Sequence, residues 1–142
     1  DWERVIEKSD RTIETLKKTV KKIYRVLKST EQHMSYHFPA LAKEYQKSML
    51  PDEITFITSQ ELEDMYPDMT GKQRENAITK EKGAVCLMQI GGALKSGKKH
   101  DGRSPDYDDW TMNCDILLYY PVLDISLEIS SITGGETQII PP

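Results

Sequence analysis

Two short apolar runs near the C-terminal end of the chain constrain the fold more than any other feature. Residues 115–120 and 124–131 have the length of strands, and Pro121-Val122 lies between them as a tight connection. The second run alternates between apolar and polar residues, which predicts a strand with one face on the core and one polar face. Its apolar members are Ile125, Leu127 and Ile129, and its polar members are Ser126, Glu128 and Ser130. We therefore expect Glu128 and Ser130 side by side on the polar face.

An antiparallel hairpin of these two strands gathers acidic groups at one rim of a sheet. Asp115 at the start of the first strand then lies close to residues 128–131 at the end of the second. The loop before the hairpin, residues 100–110, carries four more carboxylates with Pro, Tyr and Trp between them. This combination predicts a functional site framed by the sheet. A plain solvated sheet face has a similar pattern and remains the alternative.

The N-terminal part of the chain predicts a long amphipathic helix. Apolar residues recur at spacings of three and four between Ile13 and Leu27, and Ser9 or Asp10 is the expected N-cap. The pattern fades at Ser29-Thr30, so a second helix is expected from about residue 31.

Strands and helices mix in the middle of the chain. Residues 54–58 and 84–90 are expected to be strands, the second buried on both faces. Thr58–Glu61 and Thr70–Gln73 each have the form of a capping box, and the helix that begins at the second should end near Lys82. Together with the hairpin, this predicts an α+β fold.

Composition excludes several classes of protein. No run approaches the roughly 18 apolar residues of a membrane span, and a net charge of −4 makes nucleic acid an unlikely partner. Six basic residues crowd the first helix, for which a solvated face is favoured over a docking surface for an anion. Cys86 and Cys114 are expected to be free, buried thiols, which indicates a cytoplasmic protein. The chain opens on Asp1 without a methionine, as a piece of a longer protein does.

The acidic loop also carries a family resemblance. His100-Asp101, Arg103 and the run Pro105-Asp106-Tyr107-Asp108-Asp109-Trp110 closely resemble the central block of the ammonia-dependent asparagine synthetases, or aspartate–ammonia ligases. Other segments match in the order of that family: Asp1–Val5, Ser59–Leu62, Tyr66–Asp68, Gly83–Val85, Ile90–Gly92, Asn113–Leu117, Pro121–Leu123 and Glu128–Ser131. Residues 1–132 would then be the central part of a catalytic domain, and residues 133–142 a divergent Gly- and Pro-containing tail.

The resemblance implies both a fold and a reaction. The fold is similar to the catalytic core of class II aminoacyl-tRNA synthetases, an antiparallel sheet flanked by helices, usually in a homodimer. The implied reaction uses ATP, L-aspartate and Mg²⁺ to form β-aspartyl-AMP, which ammonia converts to L-asparagine and AMP.

The resemblance also implies roles for the acids of the loop and the first strand. Asp108 and Asp115 would accept hydrogen bonds from the substrate amino group or from ammonia, and either could take a proton. Ser131 would contact the aspartyl group. Arg103 is expected to brace the loop by pairing with Asp106 or Asp108.

Residues of the second strand are the expected nucleotide site. Glu128 would hold Mg²⁺ or the ribose, because adenylation places a polyphosphate beside a carboxylate and a metal ion must neutralise charge. Ile129 and Ser130 would contact AMP.

Several departures from the family leave alternatives open. Residues that grip aspartate and the α-phosphate in the family precede the first residue here, and no arginine follows Ser131, where the family has Gly-Ile-Arg. The 142 residues alone are therefore expected to be inactive. A degenerate, non-catalytic relative that acts as a binding or interaction module is the second hypothesis, and a fragment nearer to aspartyl-tRNA synthetase is the third.

Overall fold

The computed structural model describes residues 3–44, 48–104 and 108–134. This part of the chain contains four α-helices and four β-strands, which confirms the predicted α+β class. They are α1 (Ile13–His37), α2 (Pro39–Glu44), β1 (Thr55–Thr58), α3 (Ser59–Met65), α4 (Gly71–Lys82), β2 (Ala84–Met88), β3 (Cys114–Tyr120) and β4 (Ile125–Ile132). Among the described helices, none has the length and apolar character needed to cross a membrane.

Helix α1 is one continuous helix of 25 residues. The predicted break at Ser29-Thr30 and the separate second helix are therefore wrong. Thr30 stays within the helix, and its hydroxyl donates to the Val26 carbonyl oxygen, 2.8 Å away, one turn earlier. The helix ends at Phe38, just before Pro39, which cannot donate a backbone hydrogen bond.

Threonine side chains cap three of the four helices. Thr12, and not the predicted Ser9 or Asp10, is the N-cap of α1, where its hydroxyl accepts a hydrogen bond from the N–H of residue 15. Both predicted capping boxes are confirmed, at Thr58 for α3 and at Thr70 for α4. Each box satisfies two backbone N–H groups at the start of its helix, which fixes where the helix begins.

The strands form one sheet in the order β1-β2-β3-β4. Strands β2, β3 and β4 are antiparallel, as the hairpin pattern predicts, whereas β1 runs parallel to β2. The parallel pair is possible because α3 and α4 form the crossover between its strands. Every residue of β2 is buried, which confirms the expected central strand.

Helices cover both faces of the sheet and make two cores. On the face that we call the α1 face, three side chains of α1 pack on β2 and β3: Leu16, Val20 and Tyr24 on Cys86, Cys114 and Ile116. On the opposite α4 face, α3 and α4 contribute Leu62 and Ile78, which pack on Val85, Leu87 and Leu117. Both cysteines are buried and free, as predicted.

The register of β4 departs from the simple alternation that its sequence predicts. Ser130 lies opposite Ile116 and Glu128 opposite Leu117, so Ile129 is an extra residue in a β-bulge. Leu127 and Ile129 are 37% and 45% exposed, and the prediction that they pack on the core is wrong. They lie on an edge strand that α1 does not cover, and the bulge ends the alternation.

Side chains of α4 fasten the start of β4. Asn76 Oδ1 accepts from the Ser126 N–H at 2.8 Å, and Lys72 Nζ donates to the Ser126 carbonyl oxygen at 3.2 Å. Lys80 pairs with Asp124 in the turn before the strand. These contacts bury Ser126 and cover one end of an otherwise open sheet edge.

Candidate active site

The rim of the β3–β4 hairpin brings three of the predicted polar residues together. Asp115 lies directly opposite Ser131, and Leu117, on the same side of β3 as Asp115, lies opposite Glu128. Asp115, Glu128 and Ser131 therefore share the α4 face. Ser130 lies on the α1 face instead, because the bulge separates it from Glu128, and the prediction that these two stand side by side is wrong.

Arg103 joins the two strands at this rim. Its Nη1 donates to the Ser131 hydroxyl at 3.0 Å, and its Nη2 forms a short ion pair with Asp115 Oδ1. Asp115 was not the expected partner: Arg103 was predicted to pair with Asp106, which lies outside the described residues, or with Asp108. The hairpin register explains the difference, because it places Asp115 and Ser131 where one guanidinium reaches both.

Asp108 is held in position by a hydrogen bond from Asn113. The carboxylate is buried, and its Oδ2 accepts from Asn113 Nδ2 at 3.0 Å. Asn113 is fixed in turn by two hydrogen bonds with the Ile90 backbone, at 2.7 and 2.8 Å. The second oxygen of Asp108, Oδ1, is buried and has no hydrogen-bond partner within the described part of the chain. A buried oxygen of this kind is available to a donor on a ligand.

Glu128 has an unusual electrostatic environment for a carboxylate. Burial and then the neighbouring charge of Asp115 raise the pKa of Glu128 above its ordinary value, while Arg103 lowers it in part. Glu75 and Asp101 raise the pKa further. Because these neighbours disfavour its ionised form, a cation brought to Glu128 would meet a group that gains from neutralisation.

A cavity of about 300 Å³ connects Arg103 with Asp108. Gly91 and Gly92 form part of its wall, and neither position has room for a larger residue. A Cβ on Gly91 would lie 2.9 Å from the Cβ of Arg103, and one on Gly92 would lie 2.8 Å from the Trp110 ring. Gly91 also has a φ of +119°, which disfavours any other residue. The glycine pair thus allows Arg103 and Trp110 to pack closely against residues 91–92.

Comparison with known proteins places this geometry in a family. The sequence model of the family described as aspartate-ammonia ligase matches residues 1–134. The chain belongs to the aspartate–ammonia ligase family.

Relatives named aspartate–ammonia ligase match the chain over 131 residues. The chain is 59% identical to the protein of Levilactobacillus brevis, 57% to that of Clostridium perfringens strain 13 and 56% to that of Fusobacterium nucleatum. Each match covers 92% of this chain and 38% of the relative. The chain thus spans less than two fifths of the length of the curated relatives that it matches.

The Mg²⁺ implied by the family resemblance fits this site only if phosphate oxygens of a nucleotide and water complete its ligands. Within residues 3–44, 48–104 and 108–134, no group of three or more His, Cys, Asp or Glu residues is arranged to hold a metal ion. Mg²⁺ at nucleotide sites is held by one or two carboxylates together with phosphate oxygens and water, so a single carboxylate such as Glu128 is enough.

Contacts of two residues of this chain, Asn113 and Arg11, were missed by sequence reasoning. Asn113 was noted only as part of the family pattern, although its position five residues after Asp108 sets up their hydrogen bond. Arg11 pairs with Asp109 at 2.9 Å and also donates to the Gly134 carbonyl oxygen, which fastens the N-terminal segment to the acidic loop. No local sequence pattern predicts the contact of Arg11 with Asp109, because the two residues are about 100 positions apart.

Proposed function

We propose that the whole protein carrying this chain amidates L-aspartate with ammonia to give L-asparagine, using ATP and a β-aspartyl-AMP intermediate. The family and the names of the relatives support the overall reaction. One observation carries the local assignment: Arg103 bridges Asp115 and Ser131, Glu128 lies on the same face, and Asp108 lines the adjoining cavity. Asp108 also keeps one buried oxygen without a hydrogen-bond partner among the described residues.

The proposed chemistry has two steps. An oxygen of the aspartate β-carboxylate attacks the α-phosphorus of ATP, the bond to the β-phosphate breaks, and pyrophosphate leaves. The nitrogen of ammonia then attacks the acyl carbon, the bond to AMP breaks, and AMP leaves with the electron pair. The attacking nitrogen must lose a proton, which a nearby carboxylate can accept.

The residues of the rim divide these tasks in our proposal. Asp108 and Asp115 accept hydrogen bonds from the substrate amino group or from ammonia, and one of them takes the proton. Ser131, oriented by Arg103, donates to the aspartyl group. Fixing acceptors and donors before the substrate arrives is the main source of electrostatic catalysis in such sites.

The nucleotide side of the proposal uses the bulge of β4. Ile129 has no partner residue on β3, so its backbone groups are free of the ladder and suited to contact AMP. Glu128 would hold Mg²⁺, which when bound neutralises charge on the polyphosphate. Ser130 is proposed as an AMP contact through its backbone, because its side chain lies on the α1 face.

The test is ATP–pyrophosphate exchange in the presence of aspartate, measured on the whole protein with Asp115→Asn and Glu128→Ala beside it. We expect exchange that requires aspartate and falls by at least roughly a hundredfold in both variants. Glu53→Gln is the matched control, because Glu53 is an exposed carboxylate on the turn before β1. A well-folded protein without exchange would favour the degenerate binding module instead.

We also propose a homodimer, which rests on the resemblance to class II synthetases. Sedimentation equilibrium of the whole protein should give twice the monomer mass. A monomer across the micromolar range would contradict this proposal.

A further inference from the structure

The proposed site depends on Arg103 staying across Asp115 and Ser131, and few contacts hold the chain just before it. Asp101 and Gly102 are exposed, and the hydrogen bond between them is local, from the Gly102 N–H to Asp101 Oδ1 at 2.7 Å. Beyond the contacts that Arg103 itself makes with Gly91, Asp115 and Ser131, the placement of the guanidinium depends on the nearest well-held residue upstream.

That residue is His100. Its side chain is 1% exposed, and Nε2 lies 3.0 Å from Glu75 Oε1 on α4. Glu75 also accepts from Lys72 Nζ at 3.0 Å. Burial raises the pKa of Glu75, but the hydrogen bonds from His100 and Lys72 outweigh burial and bring the pKa below its ordinary value. Glu75 is thus an ionised acceptor, and the Nε2–H of His100 donates to it.

The backbone of His100 is also seated on α4. A Cβ built on Gly71, the first residue of the helix, would lie 2.5 Å from the His100 carbonyl oxygen and 3.4 Å from its Cε1. Only glycine allows this approach. Both the ring and the main chain of His100 are therefore fixed to the helix whose other side chains hold β4, so that α4 supports both sides of the proposed site.

We infer that His100, held by Glu75, is a positioning residue that fixes Arg103 against Asp115 and Ser131. The inference rests on the proposed function. Three residues of chain span at most about 10 Å, so a seated His100 keeps Arg103 close to α4. Freed from α4, the loop can move by an ångström or more, and a misplacement of about 1 Å can lower the rate roughly a hundredfold.

The test compares His100→Ala with His100→Gln in the whole protein, by the kcat and aspartate KM of ATP–pyrophosphate exchange. We expect His100→Ala to lower kcat/KM at least roughly tenfold. His100→Gln should recover to within roughly threefold of the parent, because its amide can donate to Glu75. His37→Ala is the matched control, since His37 is an exposed histidine on α1, and it should leave both constants unchanged.

Two results would overturn the inference. One is a His100→Ala protein that melts at a lower temperature but keeps its kinetic constants, which would make His100 merely structural. The other is a His100→Gln protein as impaired as His100→Ala. If His100→Ala does not fold, Glu75→Gln keeps the shape of the acceptor without its charge, and Glu53→Gln serves as its control.

Failure of the proposed function is recognised separately, by a parent protein that shows no exchange. The inference is then decided by crystal structures of the parent and of His100→Ala. Displacement of the Arg103 guanidinium from Asp115 in the variant supports it, and an unmoved guanidinium overturns it.

Discussion

The two faces of the sheet are built from the same strands but change differently along them. The α1 face carries Ser130 but no ionic group on these strands, and it ends on an apolar pair, Cys114 opposite Ile132. The α4 face is apolar at Leu117 and becomes ionic two residues earlier on the same strand, at Asp115. The difference is confined to one end of β3 and β4, where the predicted site lies.

The comparison shows how an ionic group can be placed accurately inside a small domain. Cys114 and Ile116, the neighbours of Asp115 in sequence, are fully buried on the opposite face. Apolar packing holds the backbone on both sides of Asp115. The position of its main chain therefore does not depend on hydrogen bonds of the carboxylate. Arg103 then compensates the charge from the loop.

Removing the cation from the α4 face should give the largest effect. Arg103→Ala leaves the buried carboxylate of Asp115 without its partner, and we expect the free energy of unfolding to fall by about 3 kcal/mol. Urea denaturation of the whole protein measures this loss. Arg103→Lys keeps the charge but cannot contact Asp115 and Ser131 at once, so its free energy of unfolding should lie between those of the parent and of Arg103→Ala. A loss under about 0.5 kcal/mol for Arg103→Ala would mean that the pair resembles an exposed one.

A small cavity on the α1 face should separate stability from activity. Ile116→Val removes one buried methylene and should lower the free energy of unfolding by about 1 kcal/mol. Its side chain lies on the face opposite to Asp115, so kcat/KM for aspartate should stay within about twofold of the parent value. The comparison of the two faces breaks if this variant loses activity as Asp115→Asn is expected to do.

The raised pKa of Glu128 gives a pH dependence that belongs to the α4 face. In the unfolded chain this carboxyl has its ordinary pKa of about 4.5, and in the folded protein its pKa is higher. The contribution of Glu128 to the free energy of unfolding is therefore fully present below its unfolded pKa and is lost as pH rises through its folded pKa. Without ATP or Mg²⁺, Glu128→Gln should show a smaller loss of melting temperature with rising pH above 4.5. Identical slopes for variant and parent would contradict the shift.

The α1 face should be the chemically inert one. The hydrogen bond with Cys114, followed by burial, raises the pKa of the Cys86 thiol, and both cysteines are fully buried. Since the thiolate is the reactive form, neither should react with iodoacetamide at neutral pH over an hour in the folded protein, whereas both should react in guanidinium. Mass spectrometry after labelling counts the modified thiols. Fast labelling of the folded protein would show that this face opens.

Local patterns in the sequence predicted the parts of the fold that depend on neighbouring residues. The capping boxes at Thr58 and Thr70, the fully buried strand β2 and the two strands of the hairpin are all readable within a few residues. The proximity of Asp115 to Ser131 followed from the hairpin alone.

The remaining features depend on partners far away in sequence. The bulge at Ile129 is a property of two strands in register, so the alternation in β4 predicted the wrong face for Ser130. Arg103 could not be assigned to Asp115 until that register was known. The continuity of α1 past Thr30 was missed because helix propensity is a weak guide where tertiary contacts decide: Glu31 accepts hydrogen bonds from the backbone of Leu50 in a distant loop.

The bulge in β4 has a consequence for anyone who alters or transplants this hairpin. It divides the strand into two segments, one aligned by α4 at Ser126 and the other by β3 at Ser131. The number of residues in β4 therefore matters as much as their identity. Deleting Ile129 would restore a simple alternation, with Glu128 still opposite Leu117 and Ser131 still opposite Asp115, and would remove the bulge residue proposed to contact AMP. A grafted copy must therefore preserve the length of the strand as well as its acids and hydroxyls.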